Sequence, residues 1–145
     1  MTEIIVIGII VSLIFYELTG ISPGGIIVPG IFVLYLNQID RVIYTVIISI
    51  LSVLIVRLIS KYIIIYGKRR FVVFIVVSIL LNLIVSLVLK TASNQLIVIS
   101  IIGYLISGII ANEMYKQSIR KTLPAIAIVV IFLQMIVILS GGKLF

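Results

Sequence analysis

The chain contains no cysteine and no histidine. Without cysteine, disulfides and thiolate-bound metals are excluded. Without histidine, the chain lacks the side chain that most often serves as a base near neutral pH and as a metal ligand. Only four carboxylates occur in 145 residues: Glu3, Glu17, Asp40 and Glu113. These absences leave few tools for chemistry, and no catalytic residue and no metal site is assigned. Neither a GxxxxGK[ST] phosphate loop nor a dinucleotide fingerprint is present, so energy from ATP would have to enter through another chain. A cleavable signal is not indicated either. Glu3 stands where a basic leader residue belongs, and no small-x-small cleavage site follows. Residues 4–16 are therefore read as a retained span.

What fills the chain is aliphatic. Hydrophobic residues make up 63% and charged residues 10%, with a mean hydropathy of +1.50. A soluble domain is about 45–50% apolar, and one of this size exposes too much surface to hide the excess. The composition is that of an integral membrane protein with one transmembrane domain over 1–145. The net charge of +7 fits basic cytoplasmic loops and does not by itself indicate nucleic acid.

Six apolar segments can be drawn: Ile4–Tyr16, Ile21–Leu36, Val42–Ile65, Phe71–Leu89, Leu96–Ala111 and Leu123–Leu139. They are too long, and alternate too little, for barrel strands of about 9–11 residues. In lipid their backbone groups must be satisfied within helices. The expected fold is all-α and polytopic, with about six short transmembrane helices. Segments two and five are short and carry breakers, Ser22-Pro23-Gly24-Gly25 and Pro29-Gly30 in one, Gly103 and Ser107-Gly108 in the other. Proline removes a backbone donor and clashes with the preceding turn, so both segments are expected to be broken, with Pro29 kinking or breaking its helix. The two segments also resemble each other. Gly25, Pro29, Gly30 and Ile31 fall on Gly103, Ser107, Gly108 and Ile109, dividing the chain into pseudo-repeats of about 1–66 and 71–145.

Charge placement bears on topology. If all six segments cross, eight basic residues lie on one side (Arg57, Lys61, Lys68, Arg69, Arg70, Lys116, Arg120, Lys121) and three on the other (Arg41, Lys90, Lys143). If segments two and five are re-entrant, the sides carry six and five. The positive-inside rule favours six crossings with both termini outside. The halves are then inverted, a layout shared with transporters whose sites lie near broken helices.

Within this frame, Ser22 reads as an N-cap and Pro23 as a first helical residue. Free N–H groups at Gly24 and Gly25 would then face an anion; the alternative is a tight capped turn that only permits close packing. Glu17 and Glu113 close apolar segments, either as functional carboxylates or as interfacial partners of loop cations. The clusters Lys68-Arg69-Arg70 and Lys116, Arg120, Lys121 either contact a polyanion, an acidic partner or anionic lipid, or only mark topology. Arg57 and Lys61 share a helix face and snorkel. Ser78, Asn82 and Ser86 form an i, i+4, i+8 stripe, which either lines a conduit or bonds helix to helix. Gln134 is a lone candidate partner for that stripe.

Several stretches resemble one family: ELTGISPGGIIVPG (Glu17–Gly30), Asn37-Gln38, YGKRRF (Tyr66–Phe71), and GIIAN (Gly108–Asn112) followed by Lys116-Gln117. Together they are similar to the PgsC/CapC family, the membrane subunit of bacterial poly-γ-glutamate synthase. Ser107-Gly108 departs from the second Pro-Gly that a faithful repeat would carry. The resemblance implies a cell-membrane protein that anchors and activates a separate amide ligase, PgsB/CapB, which uses ATP and Mg through an acyl-phosphate. It also implies PgsA/CapA-like and PgsE/CapE-like partners and a role in guiding the polyanion outward. No cofactor is expected in this chain. On this reading Glu17, Thr19, Ser22, Gly24, Gly25, Pro29, Gly30 and Asn112 are ligand or polymer candidates. Lys68, Arg69, Arg70, Lys116, Arg120 and Lys121 are partner or polyanion contacts. Two other classes stay open: an autonomous small-solute transporter or channel, and an intramembrane catalyst with Glu17 as acid or base.

Overall fold

Runs rich in Ile and Val are strand formers in water, yet in lipid a lone strand leaves its backbone groups unmet. The computed structural model, which describes residues 2–92 and 101–142, accordingly contains helices and no strand among the described residues. These are α1 (Thr2–Thr19), α2 (Val28–Leu34), a 3-10 turn (Leu36–Gln38), α3 (Ile39–Ile59), α4 (Lys68–Ala92), α5 (Ile101–Gln117) and α6 (Ile119–Leu139). Four helical stretches are long and apolar enough to cross a membrane: α1, the 3-10 turn with α3, α4 to Val88, and α6. Their outward faces are aliphatic, as Val6, Ile10 and Ile14 of α1 and Ile128, Ile131 and Met135 of α6 illustrate. The start of segment five and Lys143 lie outside the described residues.

The residues form two compact units, 1–43 with 113–145, and 44–112. In the first, α1, α2 and α6 pack on one another. Lipid tails are as apolar as leucine, so helices associate in a membrane through close packing and polar contacts. Gly8 and Gly30 provide the close packing. A Cβ on Gly8 would lie 2.6 Å from the Gly30 Cα, and one on Gly30 would lie 3.2 Å from the Ile5 Cα. The chain that leaves α1 at Thr19 has thus returned, by Gly30, to the level of Ile5 and Gly8. Buried Ser12 satisfies its hydroxyl on the Gly8 carbonyl at 2.6 Å, a local back-bond that costs the helix little. On α6 the buried face runs through Thr122, Ala125, Ile126, Val129, Leu133 and Val137.

In the second unit, Gly108 of α5 sits against α4, where a Cβ would meet the Ile75 Cα at 2.9 Å and the Ser78 Oγ at 2.8 Å. The Ser78 hydroxyl is within 3.0 Å of the Tyr104 carbonyl. The Asn82 amide reaches the Ser107 hydroxyl at 3.4 Å.

Two expectations about breaks need correction. Helix α2 does not start at Pro23. It starts at Val28, with Pro29 in its first turn, where a missing N–H is harmless, so segment two is broken just upstream of Pro29, which begins the helix and does not kink it. The reason lies upstream: Gly24 and Gly25 have φ of +77° and +113°, which no right-handed helix accommodates. Segment five is not broken at Ser107-Gly108, because α5 is continuous from Ile101 to Gln117. Ser107 keeps its N–H where proline would not, and its hydroxyl bonds back to the Tyr104 carbonyl at 2.9 Å.

Candidate functional site

The backbone between α1 and α2 is irregular from Gly20 to Ile27, so its polar groups lack helical partners and need others. Its start is set by α1. The Thr19 hydroxyl bonds the Phe15 carbonyl at 2.6 Å and accepts the Ile21 N–H at 3.3 Å. Gly20, at φ +67°, then turns the chain.

Gln117, the last residue of α5, holds the next step. Its Oε1 accepts the Ser22 N–H at 2.7 Å, and its Nε2 donates to the Ser22 carbonyl at 3.2 Å. One carboxamide thereby satisfies both backbone groups of Ser22, as a neighbouring strand would. The same Nε2 reaches Glu113 Oε2 at 3.4 Å, while Glu113 Oε1 pairs with Lys116 at 3.1 Å. Glu113 is thus the hub that orients Gln117 and engages Lys116. These residues all belong to the first unit.

The Ser22 hydroxyl accepts the Gly25 N–H at 3.1 Å. That is the bond an N-cap would make, formed here without the helix. It occupies one of the two amides expected to face an anion. Pro23 and Gly24 are buried, as are Pro29 and Gly30 of α2, while Glu17 and Thr19 are exposed. Among the described residues Glu17 has no ion-pair partner, and Glu113–Lys116 is the salt bridge present. No group of three metal-ligating side chains occurs among the described residues.

The remaining candidates sit elsewhere. Lys68 and Arg69 are exposed and Arg70 half-buried, in the first turn of α4. Arg120 and Lys121 are exposed in the first turn of α6. Asn112 on α5 is 5% exposed, and its Oδ1 has no hydrogen-bond partner among the described residues. Ser78 and Asn82 are buried against α5, so they act as helix-to-helix bonds; Ser86 bonds its own helix at the Leu83 carbonyl, 2.9 Å away. Gln134 lines a cavity of about 160 Å³ with Val33, Leu36, Asn37, Val137 and Ile138, all in the first unit.

The residue that sequence reasoning passed over is Gln117. It stood in a quoted motif, but nothing in its spacing links it to Ser22, which lies 95 positions away.

Known proteins resemble the chain over most of its length. The family described as Capsule biosynthesis CapC matches residues 7–123. The chain is 33% identical over 119 residues to the PGA biosynthesis protein CapC of Bacillus subtilis (strain 168), covering 81% of this chain and 80% of that one. It is 34% identical over 120 residues to the Capsule biosynthesis protein CapC of Bacillus anthracis, covering 82% and 80%. No solved structure matches.

Proposed function

The chain belongs to the capsule-biosynthesis CapC family, and from that premise we propose that it is a membrane subunit of a poly-γ-glutamate capsule synthase. Its task is to anchor and activate an ATP-dependent amide ligase and to guide the polyanionic product across the membrane. The carrying observation is family membership across most of the chain. Two features of the molecule support it. Residues 44–112 hold Arg57, Lys61, Lys68, Arg69, Arg70 and Lys90 and no carboxylate, so the charge of this unit calls for anions from outside it. The tethered loop from Thr19 to Ile27 carries four of the eight polymer candidates: Thr19, Ser22, Gly24 and Gly25.

The level reached by Gly30 beside Ile5 and Gly8 supports full return of segment two across the membrane. The same argument applies to α5, whose Gly108 reaches the level of Ile75 and Ser78 on α4. Six crossings put the basic loops in the cytoplasm, where Lys68, Arg69, Arg70, Arg120 and Lys121 meet the ligase or its acidic product. The ligase supplies ATP and Mg chemistry; CapA-like and CapE-like subunits complete the complex.

The test is co-purification. Membranes carrying this chain and the ligase are solubilised, and ligase retention is measured for the natural chain and for Lys68→Glu/Arg69→Glu. The reading expects retention to fall at least tenfold on charge reversal. Equal retention, with polymer output unchanged, would sink the docking role of this face.

A further inference from the structure

The burial of side chains repeats along the chain in a way the glycine match alone does not reveal. The buried residues of α1 are Ile4, Gly8 and Ser12; those of α4 are Phe74, Ser78 and Asn82, each 70 positions later. On α2 they are Val28, Pro29, Gly30, Phe32 and Val33. On α5 Ile106, Ser107, Gly108, Ile110 and Ala111 are buried, each 78 positions later, with Ile31 and Ile109 half-buried in both gaps; beyond this shared stretch α5 also buries Asn112 and Met114, whereas Leu34 and Leu36 are half-buried. On α3 they are Ile48, Ser49, Ser52, Val53 and Val56. On α6 Ala125, Ile126, Val129, Val130 and Leu133 are buried, each 77 positions later. A regular i, i+4 face recurs by chance. The uneven pattern shared by α2 and α5 does not follow from helical periodicity.

The helix pairs also meet at equivalent places. A Cβ on Gly30 approaches Ile5 and Gly8, and a Cβ on Gly108 approaches Ile75 and Ser78. Each contact is carried onto the other by the same offsets. Yet the compact units do not follow the halves of the sequence. The first holds α1 and α2 with α6 and the last turn of α5, and the second holds α4 and α5 to Asn112 with α3 from Tyr44 onward.

We infer that the chain is a tandem duplication of one three-helix unit whose third helices are exchanged. The first pair, α1–α2, is completed by the third helix of the second copy, and the pair α4–α5 by that of the first. The copies differ in one respect. Among the described residues, the irregular stretch 20–27 belongs to the first copy, and its counterparts from Ile101 onward are helical. Substitutions on α6 act on that stretch through α1 and α2.

The equivalence makes a contact prediction. Leu133 Cδ1 lies 3.6 Å from the Cβ position of Gly8. Its exchanged counterpart is Val56 beside Ser78; without exchange the neighbour of Ser78 would be Leu133. Likewise Val33 and Val137 line one cavity, which maps to Ala111 with Ser60 if exchanged and to Ala111 with Val137 if not. The chain is cysteine-free, so paired cysteines can be placed in the full-length protein without background. The experiment compares Val56→Cys/Ser78→Cys with Leu133→Cys/Ser78→Cys, and Ser60→Cys/Ala111→Cys with Val137→Cys/Ala111→Cys. Each is treated in membranes with a short thiosulfonate cross-linker. Trypsin then cuts the exposed basic loops, and fragments are scored as linked or separate. The Ser60/Ala111 pair changes side-chain volume little, which guards against misfolding. Exchange predicts linkage at least tenfold higher in the Val56/Ser78 and Ser60/Ala111 pairs than in their alternatives. Equal linkage, linkage of the alternatives, or none in the Ser60/Ala111 pair of a chain that elutes as a single species in detergent overturns it.

Discussion

Replacing Gln117 with leucine isolates the clamp that holds the irregular loop. Leucine keeps most of the volume but offers no partner to Ser22, whose N–H is bound at 2.7 Å and whose carbonyl at 3.2 Å. Each hydrogen bond contributes about 1 kcal/mol net, and a buried group left unmet costs about 1–3 kcal/mol. Ser22 is half-buried, so the combined loss is set at about 2–4 kcal/mol. At about 1.4 kcal/mol per tenfold change, the tethered state becomes between about thirty- and several-hundred-fold less favoured. The assay is amide hydrogen exchange, read by mass spectrometry on a peptide spanning residues 17–27 in detergent. Exchange at Ser22 should accelerate by about that factor, while peptides from α6 change little. Gln117→Glu should fall between the two chains. Its carboxylate can still accept the Ser22 N–H but cannot donate to the carbonyl, and it stands beside Glu113. Unchanged exchange in Gln117→Leu would refute the clamp and, with it, the assignment of this loop as a held element.

Other consequences are less involved. Gly8→Ala places a methyl 2.6 Å from the Gly30 Cα, well inside carbon contact distance, and overpacking of this kind costs about 1–3 kcal/mol; the midpoint of thermal unfolding followed by circular dichroism should drop. Ser118 has φ +80° and ψ +148°, a region that belongs to glycine, so Ser118→Gly should stabilise the α5–α6 turn by about 1 kcal/mol in the same assay. Lys116→Ala breaks an i, i+3 pair whose lysine is 45% exposed, and the change in stability should stay within about 0.5 kcal/mol.

Much of the helical layout was legible because lipid imposes one solution on long aliphatic runs. The end of α6 at Leu139 matches the end of its apolar run, and α4 begins at Lys68-Arg69-Arg70, but α6 starts at Ile119, four residues before the run drawn from Leu123. The breaks were harder. Pro29 reads as a kink when its neighbours are assumed helical, and only the positive φ of Gly24 and Gly25 moves the helix start to Val28. Ser107 shows the converse: a position aligned with proline keeps its N–H and the helix runs through. At the candidate site, Ser22 reads as an N-cap, and its hydroxyl does accept the Gly25 N–H, but no helix follows it, because α2 is capped at Ile27. Gln117 was not legible, because a carboxamide that binds backbone 95 residues away leaves no local pattern. The polar stripe on α4 was found at its helical spacing, but whether Ser78 and Asn82 face a conduit or a helix depends on what α5 brings opposite, which spacing does not encode.

On the proposed function, this chain is required for making poly-γ-glutamate at the membrane. The direct measurement is ATP-dependent incorporation of labelled glutamate into γ-linked polymer by membranes holding the complete set of capsule proteins, with and without this chain and with Gln117→Leu. Robust incorporation is expected with the natural chain, loss without it, and a clear reduction with Gln117→Leu. Undiminished incorporation and export in its absence would contradict the account.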